Sequence, residues 1–160
     1  MLAAGAASRF GSPKQQRFLP EILRRVRASS VDEIVVVAGA YRLETDARVV
    51  ECADWERGPG ASLRCGLEAL SQHVEAAVVV LADGPRLDAR ALDRVVDAWR
   101  DGAGDRLAAT YEGSVRSHPV LLARAAWADL PDEGARALAV ALVDCSDLAA
   151  PGDVDVASDA

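Results

Sequence analysis

Leu2-Ala3-Ala4-Gly5-Ala6-Ala7-Ser8-Arg9-Phe10-Gly11-Ser12-Pro13-Lys14 links a short apolar run to a helical pattern through a loop of small residues. Small residues let a backbone come close to a ligand, and a following helix adds the positive end of its dipole. A loop of this kind turns backbone N–H groups toward phosphate. Arg9 and Lys14 add full charges. Lys14 is the single lysine of the chain, the other seventeen basic residues being arginine. Two better-known glycine loops are excluded. A Walker loop needs Lys directly after its second Gly, and here Lys14 stands three residues beyond Gly11. The Gly-x-Gly-x-x-Gly fingerprint of dinucleotide sites is absent.

Outward from this loop, apolar strands and helical patterns alternate. Met1 to Ala4 leave room for only a short first strand. Gln15 to Ser30 repeats Leu19, Ile22, Leu23 and Val26 at helical spacing, with Arg24, Arg25 and Arg27 on the other side and Pro20 suited to a first turn. Val31 to Gly39 is a continuous apolar run, as in a parallel strand covered on both faces. Ala40 to Arg48 is read as a short helix, and Arg48 to Cys52 as a short strand. Gly58-Pro59-Gly60 reads as a turn, with Ser62 capping a helix to Gln72. Ala76 to Asp83 is the clearest strand, and it ends in an acid. Leu87 to Arg100 is helical. Arg106 to Tyr111 and Ser117 to Leu122 are strands around a turn. Ala123 to Leu130 is a short helix burying Trp127, Pro131 to Arg136 starts another, and Leu142 to Cys145 is a last strand. This alternation predicts an α/β fold: one domain over residues 1–160 with three α/β/α layers and a Rossmann-like, mostly parallel sheet.

Composition narrows the function. A net charge of −7 excludes the usual basic nucleic-acid surface but leaves room for a local phosphate pocket. No apolar run approaches the ~20 residues that span a bilayer, and no signal peptide is visible. Cys52, Cys65 and Cys145 lack Cys-x-x-Cys spacing, so they read as buried or free thiols of a reducing cytoplasm rather than as zinc ligands.

The pattern Leu-Ala-Ala-Gly-x-x-x-Arg-x-Gly-x-x-Lys resembles the signature loop of nucleotidyltransferases of the MobA-like family, which includes molybdenum cofactor cytidylyltransferases and guanylyltransferases. Three further segments carry the resemblance in the same order. Asp54 to Leu67 is similar to the family's segment bordering the nucleobase. Leu81-Ala82-Asp83-Gly84-Pro85 matches its Leu-x-Asp-x-Pro, and Asp153-Val154-Asp155 is similar to a second acidic segment near the chain's end. Ala7 and Ser117 stand where the family usually carries Ser or Gly and Gly.

The resemblance implies a fold of the nucleotide-diphospho-sugar transferase type and the transfer of a nucleoside monophosphate, CMP from CTP with GTP as the other donor, onto a phosphorylated acceptor. Molybdopterin, a sugar phosphate and phospholactate are candidate acceptors, and a molybdoenzyme is a candidate partner. Arg9 and Lys14 are the implied catalytic residues. Leu2, Ala3, Ala4, Gly5, Gly11, Lys14, Gly60 and Ser62 are the implied nucleotide contacts. Asp83, Asp153 and Asp155 are the implied ligands of Mg2+, and His118 faces the acceptor. A carboxylate at the end of a parallel strand suits this chemistry, because ligands sit beyond the carboxyl ends of strands and Mg2+ binds few carboxylates plus phosphate oxygens. Two other classes stay open: a nucleotide-binding protein without catalysis, and a glycosyltransferase, which shares the sheet and an acidic metal site.

Overall fold

The computed structural model describes residues 1–5, 14–112 and 115–152. Among the described residues seven strands run β1 (Leu2–Ala3), β2 (Val35–Ala38), β3 (Arg48–Glu51), β4 (Ala76–Val79), β5 (Arg106–Thr110), β6 (Arg116–Ala123) and β7 (Ala141–Asp144). β1, β2 and β3 form one parallel group, and β4, β6, β5 and β7 a second. A parallel bridge between Leu2 and Leu81 joins them, with the Leu2 N–H donating to Val80 O at 2.8 Å and the Ala82 N–H donating to Leu2 O at 3.0 Å. The spatial order is therefore β3-β2-β1-β4-β6-β5-β7. Among the described strands only β6 is antiparallel to its neighbours. The mostly parallel sheet expected from the alternation is present.

Helices α1 (Lys14–Arg27) and α3 (Ala89–Arg100) cover one face, and α2 (Pro59–Glu68) the other. Leu19, Ile22, Leu23 and Val26 of α1 are buried against Val36, Val80 and Leu92, while Arg24 and Arg25 turn outward to Glu21. Ala91 and Val95 of α3 pack on Leu107 and Leu121. Leu63 and Leu67 of α2 pack on Val79, Val120 and Leu122. Valine, leucine and alanine therefore build both sides of the three-layer core.

Several local readings change. α1 opens at Lys14, so Pro20 lies in its interior, on the solvent face, rather than in a first turn. Residues 40–47 form no helix. Their polar backbone is held by side chains instead: Gln16 donates to Glu44 O and accepts from Glu44 N–H, both at 2.8 Å, and Ala47 N–H donates to Thr45 Oγ1. α2 starts at Pro59 with Gly58 as N-cap, so Ser62 is inside the helix and caps nothing. Gly58 takes φ +120°, and Pro59, which needs no N–H partner, opens the first turn. Arg124–Ala126 and Gly134–Ala137 are single 3-10 turns rather than helices. Trp127 is half-buried, donating from Nε1 to Leu122 O at 3.1 Å under the Arg124 guanidinium.

The free-thiol expectation is corrected as well. Cys52 and Cys65 form a disulfide across a Cα–Cα distance of 5.9 Å. They are 13 residues apart with no motif to announce the pairing. The fold makes it, by packing α2 over the end of β3. Cys145 is a free, buried thiol. Among the described residues no helix is long and apolar enough to cross a membrane.

Candidate active site

The site is built at the carboxyl end of the sheet, where β1 and the β4 strand end emerge side by side. Their parallel pairing at Leu2 and Leu81 fixes this arrangement. Three residues past Leu2 comes exposed Gly5, and two past Leu81 comes half-buried Asp83. Leu2 and Ala3 position the loop rather than offering donors. The Leu2 N–H is bonded to Val80 O, and Ala3 pairs in register with Ala38. Ala4 is buried, its carbonyl accepting from Ala40 N–H at 3.1 Å. A Cβ on Gly39 would lie 2.6 Å from Ala4 O and 2.7 Å from the Trp55 side chain, so only glycine lets β1 and the Trp55 turn approach this closely.

Asp83 and His118 lie within electrostatic reach of one another. His118 lies on β6 beside the end of β4, its Nδ1 3.3 Å from Val79 O. Burial pushes the imidazole below its usual range, against the opposing pull of the Val79 carbonyl and the Asp83 charge. It is therefore neutral at pH 7. An Nδ1 facing a carbonyl carries the proton, which leaves Nε2 as an acceptor. Tyr111 Oη donates to His118 O at 2.8 Å and fixes the backbone there, while burial raises the Tyr111 pKa. Arg116, whose charge also acts on His118, is turned away: its guanidinium donates to the carbonyls of Ala135, Arg136 and Leu138.

The end of the described chain crosses the same place. A Cβ on Gly84 would sit 3.0 Å from the Pro151 ring and 3.2 Å from Gly152 O, and the Arg86 N–H donates to Pro151 O at 3.0 Å. Gly152 takes φ +74° with the Arg86 guanidinium against it. The backbone bond from Arg86 N–H to Pro151 O is what holds residues 151–152 against the Gly84 turn, and no motif in the sequence singles out Arg86.

Gly60 and Ser62 lie deeper. Both are buried. The Gly60 N–H donates to Asp132 O at 2.9 Å, and a Cβ there would fall 2.1 Å from Pro131 O. Gly60 is thus required by packing of α2 on the 131–134 segment. Arg64 reinforces the contact, donating to Leu130 O at 2.8 Å and pairing with Asp132 at 2.6 Å.

Arg9, Gly11, Asp153 and Asp155 lie outside the described residues, as does the side chain of Lys14, whose backbone begins α1. Among the described residues no three His, Cys, Asp or Glu side chains converge as a metal site.

Comparison with known proteins identifies the family and supports the fold. The profile of the MobA-like NTP transferase domain matches residues 1–145. The bifunctional protein GlmU of Cutibacterium acnes is 30% identical over 118 residues, which is 63% of this chain and 28% of that one. The chain thus matches little more than a quarter of that relative's length. The crystal structure of Rv0371c from Mycobacterium tuberculosis H37Rv is 27% identical, with a TM-score of 0.75 over 99% of this chain and 92% of its own. Its homologue from Mycobacterium sp. strain JC1 is 23% identical, with a TM-score of 0.80 over 99% and 90%. Rv0371c was also crystallised in complex with manganese, a structure matching at TM-score 0.66 and 22% identity over 89% and 84%.

Proposed function

This chain belongs to the MobA-like NTP transferase domain family, and from that premise we propose that it moves a nucleoside monophosphate from a nucleoside triphosphate onto a phosphorylated acceptor. An acceptor phosphate oxygen attacks the α-phosphorus. The bond from that phosphorus to the α–β bridging oxygen breaks, and pyrophosphate leaves with the electron pair. The nucleophile is already an anion, so catalysis consists of lining up negative charges and stabilising the leaving group.

The observation that carries this reading is the emergence of Gly5 and Asp83 beside one another beyond the Leu2–Leu81 bridge. Backbone amides after Ala4, with Gly5, Gly11, Arg9 and Lys14, hold the triphosphate. Asp83 binds the divalent cation, with Asp153 and Asp155 as further ligands. The course of Pro151 and Gly152 over Gly84 favours this set, and the manganese complex of Rv0371c favours a divalent cation. We propose Mg2+ as that cation, which would screen the α-phosphate and the incoming acceptor from each other. Neutral His118 accepts a hydrogen bond at Nε2 from a hydroxyl of the acceptor. Gly60 and Ser62 support the base pocket from beneath, since both are buried.

For the substrates we propose CTP as donor and molybdopterin as acceptor, on the motif resemblance. The test measures pyrophosphate release with CTP, GTP, UTP, ATP and dTTP in turn, each with molybdopterin, a sugar phosphate or phospholactate. Release with CTP and molybdopterin alone is the expected result. Release with a sugar phosphate and another base would replace both substrates while keeping the reaction. Hydrolysis of a nucleotide sugar, with no release from any triphosphate, would replace the reaction itself.

A further inference from the structure

The Cys52–Cys65 disulfide joins the end of β3 to α2. Cys52 follows β3 directly, and its N–H donates to Ala38 O at 2.8 Å. It is buried in one cluster with Ala4, Val35 and Val37, and Trp55 and Cys65 pack against that cluster. The loop closed by the bond carries the Trp55 turn (Trp55–Arg57) and the first turn of α2.

The two parts of this loop are held differently. α2 has anchors of its own. The Gly60 N–H donates to Asp132 O at 2.9 Å, Arg64 donates to Leu130 O at 2.8 Å, and Leu63 and Leu67 are buried. Residues 53–57 have no such anchor. Among the described residues their hydrogen bonds stay within 52–58: Trp55 N–H donates to Cys52 O, Arg57 N–H to Asp54 O and Gly58 N–H to Trp55 O. Arg57 and Asp54, 3.8 Å apart, are both exposed, and such a pair adds little. The turn is therefore fixed to the sheet by the packing of Trp55 and by the covalent closure.

That packing reaches the phosphate loop. A Cβ on Gly39 would lie 2.7 Å from Trp55 Cβ on one side and 2.6 Å from Ala4 O on the other. The Ala40 N–H donates to the same Ala4 oxygen at 3.1 Å. Trp55 and Ala4 thus press on one glycine from opposite sides. Ala4 is buried and Gly5 is exposed, so this contact sits where the loop leaves the sheet.

We propose that the disulfide is a redox switch on the Trp55–Gly39–Ala4 contact. Oxidised, it holds the Trp55 turn in place and keeps the start of the phosphate loop in its binding position. Reduced, the chain stays folded with α2 docked, but the turn opens and triphosphate binds more weakly. The effect on binding rests on the triphosphate reading proposed for this site. The reductant is a low-molecular-weight thiol. Its thiolate attacks the sulfur of Cys65, which is half-buried where Cys52 is buried. The S–S bond breaks, and the Cys52 sulfur leaves with the electron pair and takes a proton. A second thiol then frees Cys65 from the mixed disulfide. Two protein thiols and one small disulfide result, and the small disulfide drives the reverse reaction.

The test uses a Trp99→Phe/Trp127→Phe chain, in which Trp55 is the single indole. It is oxidised with glutathione disulfide or reduced with dithiothreitol, well below the unfolding transition of either form. Acrylamide quenching of Trp55 is read without nucleotide. The Kd of the parent chain for CTP, GTP, UTP, ATP and dTTP with Mg2+ is read in both redox forms. Reduction is expected to raise quenching about twofold and the Kd of the bound triphosphate about tenfold, both reversed by reoxidation. A Cys52→Ser/Cys65→Ser chain should match the reduced form with or without thiol. Hydrogen exchange at the Ala40 amide of the parent chain reads the same contact without substitution, and it should quicken on reduction. Equal quenching and equal Ala40 exchange in the two forms would overturn the switch, as would an opened turn with unchanged Kd. No binding of any triphosphate by the oxidised chain would instead overturn the triphosphate reading and the effect on binding with it, while quenching alone still decides whether reduction opens the turn.

Discussion

Leu2 and Leu81 are parallel partners, and their bridge is the seam between the β1–β3 and β4–β7 halves of the sheet. The Leu2 N–H donates to Val80 O across it at 2.8 Å. Everything assigned to the phosphate loop and to Asp83 depends on this seam. Leu2→Pro removes that donor and is expected to cost about 2 kcal/mol or more in urea unfolding. Stability equal to that of the parent chain would mean that the Leu2 N–H bond is not needed to hold the halves together.

Asp83 sits in a half-buried turn, so Asp83→Asn should leave the fold intact. Turnover is expected to fall by at least ~10². Comparing pyrophosphate release with the unfolding curve separates loss of chemistry from loss of fold. Full release by a folded Asp83→Asn would remove this carboxylate from the mechanism.

His118 gives the site a pH signature. Its folded pKa is held below the ordinary value by burial, so the unfolded chain binds the proton more readily. Stability is therefore fully present above the unfolded value, near 6.5, and is lost as pH falls through the interval between the two pKa values. The charges acting on the ring are Asp83 and Arg116, of opposite sign. His118→Gln should flatten this part of the Tm–pH profile, and an unchanged slope below pH 6.5 would assign the loss to other groups.

The Cys52–Cys65 disulfide closes a short loop that carries the start of α2. A loop with a separation of 13 residues is expected to contribute about 3 kcal/mol through the unfolded chain. Dithiothreitol should lower Tm accordingly, and a Cys52→Ser/Cys65→Ser double variant should not respond to it. A parent chain equally indifferent to dithiothreitol would contradict the bond.

Gly60 is fixed by packing. A Cβ there would fall 2.1 Å from Pro131 O, a backbone atom that cannot swing aside. Gly60→Ala is expected to destabilise the chain by about 1–3 kcal/mol. A neutral effect on unfolding would free Gly60 from this structural role.

What the sequence made legible follows its physical periodicity. The run from Ala76 to Asp83 is apolar on both faces and ends in an acid, so the strand and its carboxylate were visible together. The α1 stripe of Leu19, Ile22, Leu23 and Val26 was equally plain. Features made by distant contacts were not. Nothing near Cys52 announces Cys65. Ser62 looks like a cap until Pro59 and the positive φ of Gly58 start the helix earlier. The irregular course of residues 40–47 depends on Gln16, far away in sequence. The Arg86 N–H bond to Pro151 O, which brings residues 151–152 against Gly84, likewise exists only in three dimensions.

The central claim is a triphosphate site completed by a divalent cation on Asp83. Its most direct test is the Tm shift of the parent chain and of Asp83→Asn with each of CTP, GTP, UTP, ATP and dTTP, with and without Mg2+. We expect a clear shift of the parent chain with one triphosphate, dependent on Mg2+ and lost in Asp83→Asn. No shift with any triphosphate, or an equal Mg2+-dependent shift in both proteins, would contradict the account.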